Sequence, residues 1–229
     1  MRELCFKCLR PVQSCYCRFV KKIDTDVKFV FLMHPKEAKR QRTGTGRLAS
    51  LCLPESEIIV GIDFTKNERL NSLINDDKYF PVLMYPDENA WTASKEGFTD
   101  AVKGKTLLVI IIDSTWFCSK KMINLSQNIK TLPRISFSKN YRSIFTFKRE
   151  PHEYCISTIE SVYYFIEELK EASVCSKDTD TSALMDVFKH MIKFQLEKEN
   201  ERIRLGLPGN HAYDIHYNKI KEIPDEILN

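Results

Sequence analysis

The chain has 229 residues, of which 43% are hydrophobic and 29% are charged, a composition that excludes a disordered or fibrous protein. The conspicuous apolar run at 107–112 is far shorter than the ~20 residues of a membrane-spanning helix, so no membrane role is expected. The first twenty residues mix cations with cysteines and contain no apolar stretch, which argues against secretion and predicts a reducing, cytoplasmic location.

The formal net charge of +4 is distributed unevenly. Residues 1–50 contain twelve Lys or Arg against four Asp or Glu, and residues 116–150 contain eight against one. If the two basic segments meet in the fold, they form an electropositive face for a polyanion such as nucleic acid. Charge alone equally allows a solvated surface with dispersed counterions.

At the N-terminus, four of the eight cysteines lie within thirteen residues: Cys5, Cys8, Cys15 and Cys17. In a reducing compartment, thiolates at C-x2-C and C-x-C spacing predict one tetrahedral metal site, and thiolate ligands favour Zn2+. Free thiols, a redox pair and an iron–sulfur cluster are the alternatives. The other four cysteines are interpreted as small buried hydrophobic residues.

After the cysteine cluster, apolar runs alternate with helical periods, which predicts an α/β fold with a mostly parallel sheet flanked by helices. The predicted strands are 27–33, 57–62, 79–85 and 106–112, and the predicted helices between them are 46–53, 66–75 and 116–127. The run at 107–112 has no polar alternation and is expected to be a central strand buried on both faces.

Two more helices are predicted further along the chain. Ser157 and Glu160 have capping-box spacing, and apolar residues at helical intervals follow, which predicts a helix over 158–172. After a polar stretch at 173–182, a second helical pattern begins near residue 184. The tail from 206 shows little periodicity.

Asp113, Ser114, Thr115 and Trp116 directly follow the predicted central strand and precede a helix. Ligands bind at this position in open α/β sheets, where the helix offers backbone donors to an anionic group. The alternative is structural, because Asp, Ser and Thr are preferred helix caps and tryptophan usually packs.

The segment 34–48 follows another predicted strand and is rich in Lys and Arg. Gly44 and Gly46 would let the backbone approach a ligand, while Thr45 and Arg47 offer polar groups. The segment lacks the features of a Rossmann fingerprint or a P-loop. His34 is interpreted as a structural residue at a strand end.

The segment 138–151 interleaves aromatic and basic residues. Tyr141 can stack on a base while Arg142 and Arg149 contact phosphates, as in recognition of single-stranded or looped RNA. Phe145 and Phe147 are interpreted as part of an ordinary half-buried strand.

Several separated blocks together resemble the DTW-domain family, and the resemblance spans about residues 5–195. The blocks are the four-cysteine cluster, 34–48, 113–116 with Lys121 and Met122, 132–134, Tyr141 with Arg142, 149–151 and 157–160. Two positions depart from the family pattern: Ser114 replaces the usual glycine, and Gly44 stands where asparagine is expected.

The resemblance implies a tRNA-uridine aminocarboxypropyltransferase, which moves the 3-amino-3-carboxypropyl group of S-adenosyl-L-methionine to N3 of a uridine in tRNA. It also implies a SPOUT-like domain, in which a C-terminal trefoil knot holds the cofactor. The expected division is a zinc knuckle at 1–22, a catalytic domain at 23–205 and a tail at 206–229. A SPOUT-type RNA methyltransferase and a non-catalytic zinc-containing RNA-binding protein are the alternatives.

The resemblance also implies roles for individual residues. Asp113 is expected either to remove the N3 proton or to hold the cofactor's amino group, and Thr115 and Trp116 complete the catalytic set. The expected cofactor-binding residues are Thr45, Gly46, Arg47, Leu48, Ser114, Ser157, Thr158 and Glu160. The expected RNA-binding residues are Lys39, Arg40, Arg42, Lys120, Lys121, Tyr141, Arg142 and Arg149.

Overall fold

The structure is a computed structural model that describes residues 3–39, 44–145, 155–208 and 220–228. Within these ranges the strands are β1 (Lys28–Met33), β2 (Glu57–Val60), β3 (Tyr79–Met84), β4 (Thr106–Asp113) and β5 (Arg134–Ile135). All pairings are parallel, and the strand order is β2-β1-β4-β3-β5. The predicted α/β class and parallel sheet are confirmed. The two-residue β5 is too short to show a sequence period and was not predicted.

Helices connect the strands and follow them. They are α1 (Pro35–Lys39), α2 (Thr45–Cys52), α3 (Glu68–Ile74), α4 (Phe98–Val102), α5 (Trp116–Leu125), α6 (Gln127–Lys130), α7 (Thr158–Glu171), α8 (Ser182–Arg204) and α9 (Asp225–Leu228). The five predicted helices correspond to α2, α3, α5, α7 and α8. Among the described helices, none is both long and apolar enough to cross a membrane.

Both faces of the sheet are covered by helices. Phe31 and Val109 belong to a core that includes α2, α7 and α8, whereas Leu32 and Ile110 belong to a core with α3, α5 and α6. Successive side chains of a strand point to opposite faces, so β4 contributes apolar residues to both cores. As predicted from its uninterrupted apolar run, β4 lies inside the sheet, between β1 and β3.

The chain leaves the neighbouring strands β1 and β4 towards opposite faces of the sheet. After β1 the chain reaches α2 on one face, whereas after β4 it reaches α5 on the other. In an open parallel sheet such a switch in direction opens a crevice at the carboxyl ends of the strands. Asp113 ends β4 at this point, opposite Met33, and its carbonyl accepts a hydrogen bond from the backbone N–H of His34 at 3.1 Å.

The interpretation of Phe145 as part of a half-buried strand is wrong, because residues 141–145 form no strand. The backbone N–H of Ile144 donates instead to a carboxylate oxygen of Glu160, at 2.8 Å. Phe145 is nevertheless buried, and its ring packs edge-on against Phe188 with a centroid distance of 5.3 Å. Phe147 lies outside the described residues.

Candidate functional site

A cavity of about 280 Å³ opens at the carboxyl ends of β3, β4 and β5. Its volume is close to the lower end of small-molecule sites, roughly 300 Å³. Much of its wall is apolar or aromatic, while Ser114, Lys139 and Thr158 contribute polar groups. This is a concave apolar pocket with a few convergent polar side chains, as expected for a small-molecule site.

Asp113 lies next to wall residues of this cavity and is only 6% exposed. The hydroxyl of Thr158, the first residue of α7, donates a hydrogen bond to Asp113 Oδ1 at 2.7 Å. Gly46, in the first turn of α2, also lies close to this carboxylate. A Cβ at Gly46 would lie 2.5 Å from the carboxylate carbon of Asp113 and 2.8 Å from Oδ1.

The carboxylate of Asp113 therefore lies where the first turns of α2 and α7 meet the end of β4. Helix N-termini carry partial positive charge, so this placement offsets part of the cost of burying a carboxylate. The absent side chain at Gly46 gives the carboxylate its space. From the sequence, Gly46 was expected to let the backbone approach a ligand. In the structure it lies against the carboxylate of Asp113.

Two of residues 114–116 line the cavity, and the third caps a helix, which was the structural alternative for this segment. Ser114 and Trp116 line the cavity, whereas Thr115 caps α5 by accepting a hydrogen bond from the Cys118 N–H at 3.4 Å. Of the described non-glycine residues, only Leu9 and Ser173 have positive φ, so serine fits position 114 without left-handed strain.

The other residues of α2 that were predicted to contact the cofactor adjoin Gly46 in the sequence. They are not among the described residues that line the cavity. Thr45 begins the helix and is buried, Arg47 is half-buried, and Leu48 belongs to the apolar core. The structure thus gives Leu48 a packing role. A cofactor contact by Thr45 or Arg47 stays a prediction.

Residues 136–145, here called the wall segment, follow β5 and supply one side of the cavity. Glu168 of α7 holds its first half, accepting hydrogen bonds from the N–H groups of Ser138 at 2.9 Å and Lys139 at 3.2 Å. The hydroxyl of Tyr141 donates to the same carboxylate at 3.0 Å. Because Glu168 is buried and engaged by three groups, it fixes this half of the wall.

The second half of the wall segment is held by Glu160. Its carboxylate accepts hydrogen bonds from Ser143 Oγ at 2.7 Å, from the Ile144 N–H at 2.8 Å and from the Ser157 N–H at 2.7 Å. The last bond is the Glu160 half of the predicted capping box. Glu160 and Ser157 were expected to bind the cofactor, but neither is among the described wall residues, and the Glu160 oxygens are engaged by protein donors.

Tyr141 was expected to stack on RNA, and the structure gives it other partners. Its ring stacks on Tyr164 at a centroid distance of 3.9 Å and lines the cavity. Burial, followed by the hydrogen bond to the Glu168 carboxylate, raises the pKa of Tyr141, so the hydroxyl remains a donor at neutral pH. Tyr141 therefore belongs to the cavity wall.

Tyr85 and Lys139 are among the cavity residues that the sequence reasoning missed. The Tyr85 ring lies 6.1 Å from that of Trp116, and Lys139 pairs with Glu171 at 2.6 Å. Tyr85 ends a predicted strand, and strand ends at the carboxyl edge are where such residues could have been sought. Lys139 lay within the basic-aromatic segment but had no motif position of its own.

The predicted RNA-binding cations that are described lie on the surface. Lys39, Lys120, Lys121 and Arg142 are exposed. Because α1 follows β1 and α5 follows β4, both helices begin at the carboxyl edge of the sheet. Arg40, Arg42 and Arg149 lie outside the described residues.

The four N-terminal cysteines form a second cluster, with all sulfur atoms within 4.8 Å of one another. The distance from Cys5 Sγ to Cys17 Sγ is 3.7 Å, and that from Cys8 Sγ to Cys15 Sγ is 3.6 Å. A tetrahedral site with zinc–sulfur bonds of about 2.3 Å has sulfur atoms roughly 3.8 Å apart, so the spacing fits zinc. Backbone hydrogen bonds from Cys8 and Lys7 lower the pKa of the Cys5 thiol to about 6, whereas burial raises the pKa values of the Cys15 and Cys17 thiols.

The cysteine cluster is attached to the main body. The ring of Phe19 lies against that of His190 of α8, with a centroid distance of 3.6 Å and an angle of 35° between the rings, and the Arg10 guanidinium lies 5.8 Å from the ring centroid of Phe194, also on α8. Of the other cysteines, three are buried as predicted: Cys52, Cys155 and Cys175. Cys118 is half-buried.

Comparisons with known proteins agree with the resemblance. Residues 2–196 match the DTW domain family. Over 167 residues the chain is 27% identical to tRNA-uridine aminocarboxypropyltransferase 2 of Drosophila melanogaster, a match that covers 70% of this chain and 64% of that relative. The chain therefore spans less than two thirds of the relative's length. No solved structure matches this chain.

Replacing Gly46 by alanine tests the close contact with Asp113. The added methyl group overlaps a carboxylate held by Thr158, so we expect the free energy of unfolding to fall by about 1–3 kcal/mol in urea denaturation. Gly44→Ala is the matched control, because nothing lies within 4 Å of a Cβ there, and its effect should be smaller, at most about 1 kcal/mol from the loss of glycine at the N-cap of α2. Equal effects of the two substitutions would contradict the steric account.

Proposed function

This chain belongs to the DTW domain family, and from that premise we propose that it transfers the 3-amino-3-carboxypropyl group of S-adenosyl-L-methionine to N3 of a uridine in tRNA. The products are acp3-uridine and 5′-methylthioadenosine. The observation that carries the proposal is the cavity at the carboxyl ends of three strands, with the buried Asp113 carboxylate beside it. The name of the Drosophila relative supports the transferred group.

The residues around the cavity suit the chemistry of the donor. Met84, Ile135 and Phe137 offer apolar surface for an adenine ring, and the donor's amino-acid end carries both an ammonium and a carboxylate. If Asp113 is not the base, it can hold the ammonium, while Lys139, which also pairs with Glu171, can hold the carboxylate. Bound there, S-adenosyl-L-methionine supplies an electrophilic carbon next to a sulfonium.

In the proposed mechanism Asp113 accepts the proton from uridine N3 as N3 bonds to the γ-carbon of the aminocarboxypropyl group. The bond from that carbon to sulfur breaks, and its electrons leave with the sulfur, which gives a neutral thioether. Thr158 supports this role because its hydrogen bond to Oδ1 holds the Asp113 carboxylate in one orientation beside the cavity. Ser114 and Trp116, which line the cavity, orient the donor so that the γ-carbon rather than the methyl group faces uridine N3.

The SPOUT relationship and the C-terminal knot are part of the same proposal, as is the division into a knuckle at 1–22, a catalytic domain at 23–205 and a tail at 206–229. The knot rests on the family resemblance, and the structure adds two general features of the C-terminal half. The sheet is parallel throughout its described strands, with β5 at one edge beside β3. The cavity is also walled by residues from both 135–141 and 156–161, two stretches that follow β5 and begin α7.

We assign one Zn2+ to Cys5, Cys8, Cys15 and Cys17, on the basis of the sulfur distances. The metal would hold the knuckle together where it packs on α8 through Phe19. It would take no part in the transfer. We also assign the tRNA phosphates to the exposed cations Lys39, Lys120, Lys121 and Arg142, and the further candidates Arg40, Arg42 and Arg149 remain predictions from the sequence.

Mass spectrometry of nucleosides tests the reaction directly. Incubation of unmodified tRNA with the protein and the donor should produce acp3-uridine, together with an equal amount of 5′-methylthioadenosine. Methylated uridine with S-adenosylhomocysteine would instead identify a methyltransferase. Unchanged tRNA that still binds the protein would favour the non-catalytic alternative.

Asp113→Asn separates the two chemical roles of this carboxylate. If Asp113 is the base, the single-turnover rate should fall by roughly 10²-fold or more while donor and tRNA binding stay near wild type. If it holds the ammonium, calorimetric titration should show weaker binding of the donor and unchanged binding of 5′-methylthioadenosine, which lacks the amino acid. Asp100→Asn, on the exposed surface of α4, is the control. Wild-type transfer by Asp113→Asn would exclude both roles.

The zinc assignment predicts about one metal ion per chain in protein purified without chelator. Cys5→Ser should lose the metal and lower the melting temperature, because the metal organises the knuckle that packs on α8. Cys118→Ser, outside the cluster, should keep it. Elemental analysis of the purified protein is the measurement. Absence of stoichiometric metal would refute the assignment, and iron together with visible absorption would identify an iron–sulfur cluster in place of zinc.

A further inference from the structure

One face of α5 combines exposed aromatic rings with exposed cations at the edge of the cavity. Trp116 is 38% exposed and Phe117 is 83% exposed, and both Lys120 and Lys121 are exposed one turn later. The opposite face of the helix packs into the core through Met122 and Ile123. The four exposed residues are here called the α5 strip: Trp116, Phe117, Lys120 and Lys121.

The spacing of the α5 strip pairs each ring with a cation. Residues four apart lie on the same side of a helix, so Trp116 is paired with Lys120 and Phe117 with Lys121. Neither lysine forms an ion pair with a described residue, and the helix sequence contains no acidic side chain. Among the residues that the structure describes, the strip therefore presents positive charge without an ion-pair partner beside exposed apolar rings.

A single exposed apolar side chain needs no explanation. Phe117 differs because it directly follows Trp116, which lines the cavity, and because cations lie on the same face. An aromatic ring beside cations matches a nucleotide, whose base stacks on the ring while its phosphate contacts the cation. A protein partner would need a larger apolar patch, and on this face the rings adjoin two lysines.

We propose that Phe117 stacks on an unpaired base adjacent to the target uridine, and that Lys120 and Lys121 hold the flanking phosphates. This inference rests on the proposed function, because it assumes that the substrate is RNA and that the uridine enters the cavity next to Trp116. Stacking of the neighbouring base on Phe117 holds the strand open at the cavity mouth. Phe117 is then a substrate-positioning residue, and the preferred substrate is a uridine in a single-stranded stretch.

The test measures tRNA affinity and donor affinity separately for variants of the α5 strip. Phe117→Ala should weaken tRNA binding about tenfold or more, with no change in the dependence of affinity on salt, because stacking neutralises no phosphate. Phe117→Trp should restore binding, since tryptophan stacks equally well. Lys121→Ala should instead reduce the slope of log affinity against log salt by about 0.7–0.9, the value for one phosphate contact.

Donor binding should be unchanged in all of these variants, which shows that the cavity is intact. Leu125→Ala, a truncation of a 43% exposed side chain at the other end of α5, is the matched control and should bind tRNA as wild type does. A short fully paired RNA duplex should show no difference between wild type and Phe117→Ala, because its bases are not available for stacking.

Three results would overturn the inference. The first is wild-type tRNA affinity of Phe117→Ala, and the second is an equal loss of tRNA affinity in Phe117→Ala and Phe117→Trp. The third is a change in the oligomeric mass of Phe117→Ala without a change in RNA binding. The last would identify the strip as an interface between copies of the chain. Failure of the proposed reaction is distinguishable, because affinity is measured without turnover. A chain that makes no acp3-uridine but loses tRNA affinity in Phe117→Ala would retain the stacking contact and lose only the reaction.

Discussion

Asp113 poses an electrostatic constraint on which the rest of the site depends. Its carboxylate is buried at the end of a strand whose other residues are almost all apolar, and a buried charge requires donors or positive potential nearby. The fold supplies both from helices that are distant in sequence. Thr158 donates from the start of α7, and Gly46 lets the start of α2 approach closely. The switch between β1 and β4 makes this meeting possible, because it brings the chain after β1 to the same face as the Asp113 side chain.

The helix α7 links the core of the protein to the site. Its apolar side packs on the sheet, its first residue bonds to Asp113, and its two buried carboxylates, Glu160 and Glu168, hold the wall segment. The acid and one wall of the cavity are thus positioned by a single rigid element. Such support keeps a site preorganised, because the groups that shape it cannot shift independently.

The sequence predicted those features that depend on local patterns. The apolar run of β4 indicated a central strand, its following residues indicated a ligand position, and the Ser157 and Glu160 spacing located the start of α7. The sequence did not predict features that depend on tertiary contacts. The acceptor role of Glu168 arises only when a coil packs against α7, and Tyr141 meets Tyr164 only in the folded chain. The exposure of Phe117 could not be read from its helical position, because periodicity alone does not say which face meets the sheet.

The central claim is that the cavity beside Asp113 binds the donor. A crystal structure of the protein with S-adenosyl-L-methionine tests this most directly. We predict that the ligand lies between the wall segment and the first turn of α7, in contact with Trp116 and Thr158, with its amino-acid end towards Asp113. Ligand bound elsewhere on the surface, with this cavity unchanged and empty at saturating donor concentration, would contradict the account.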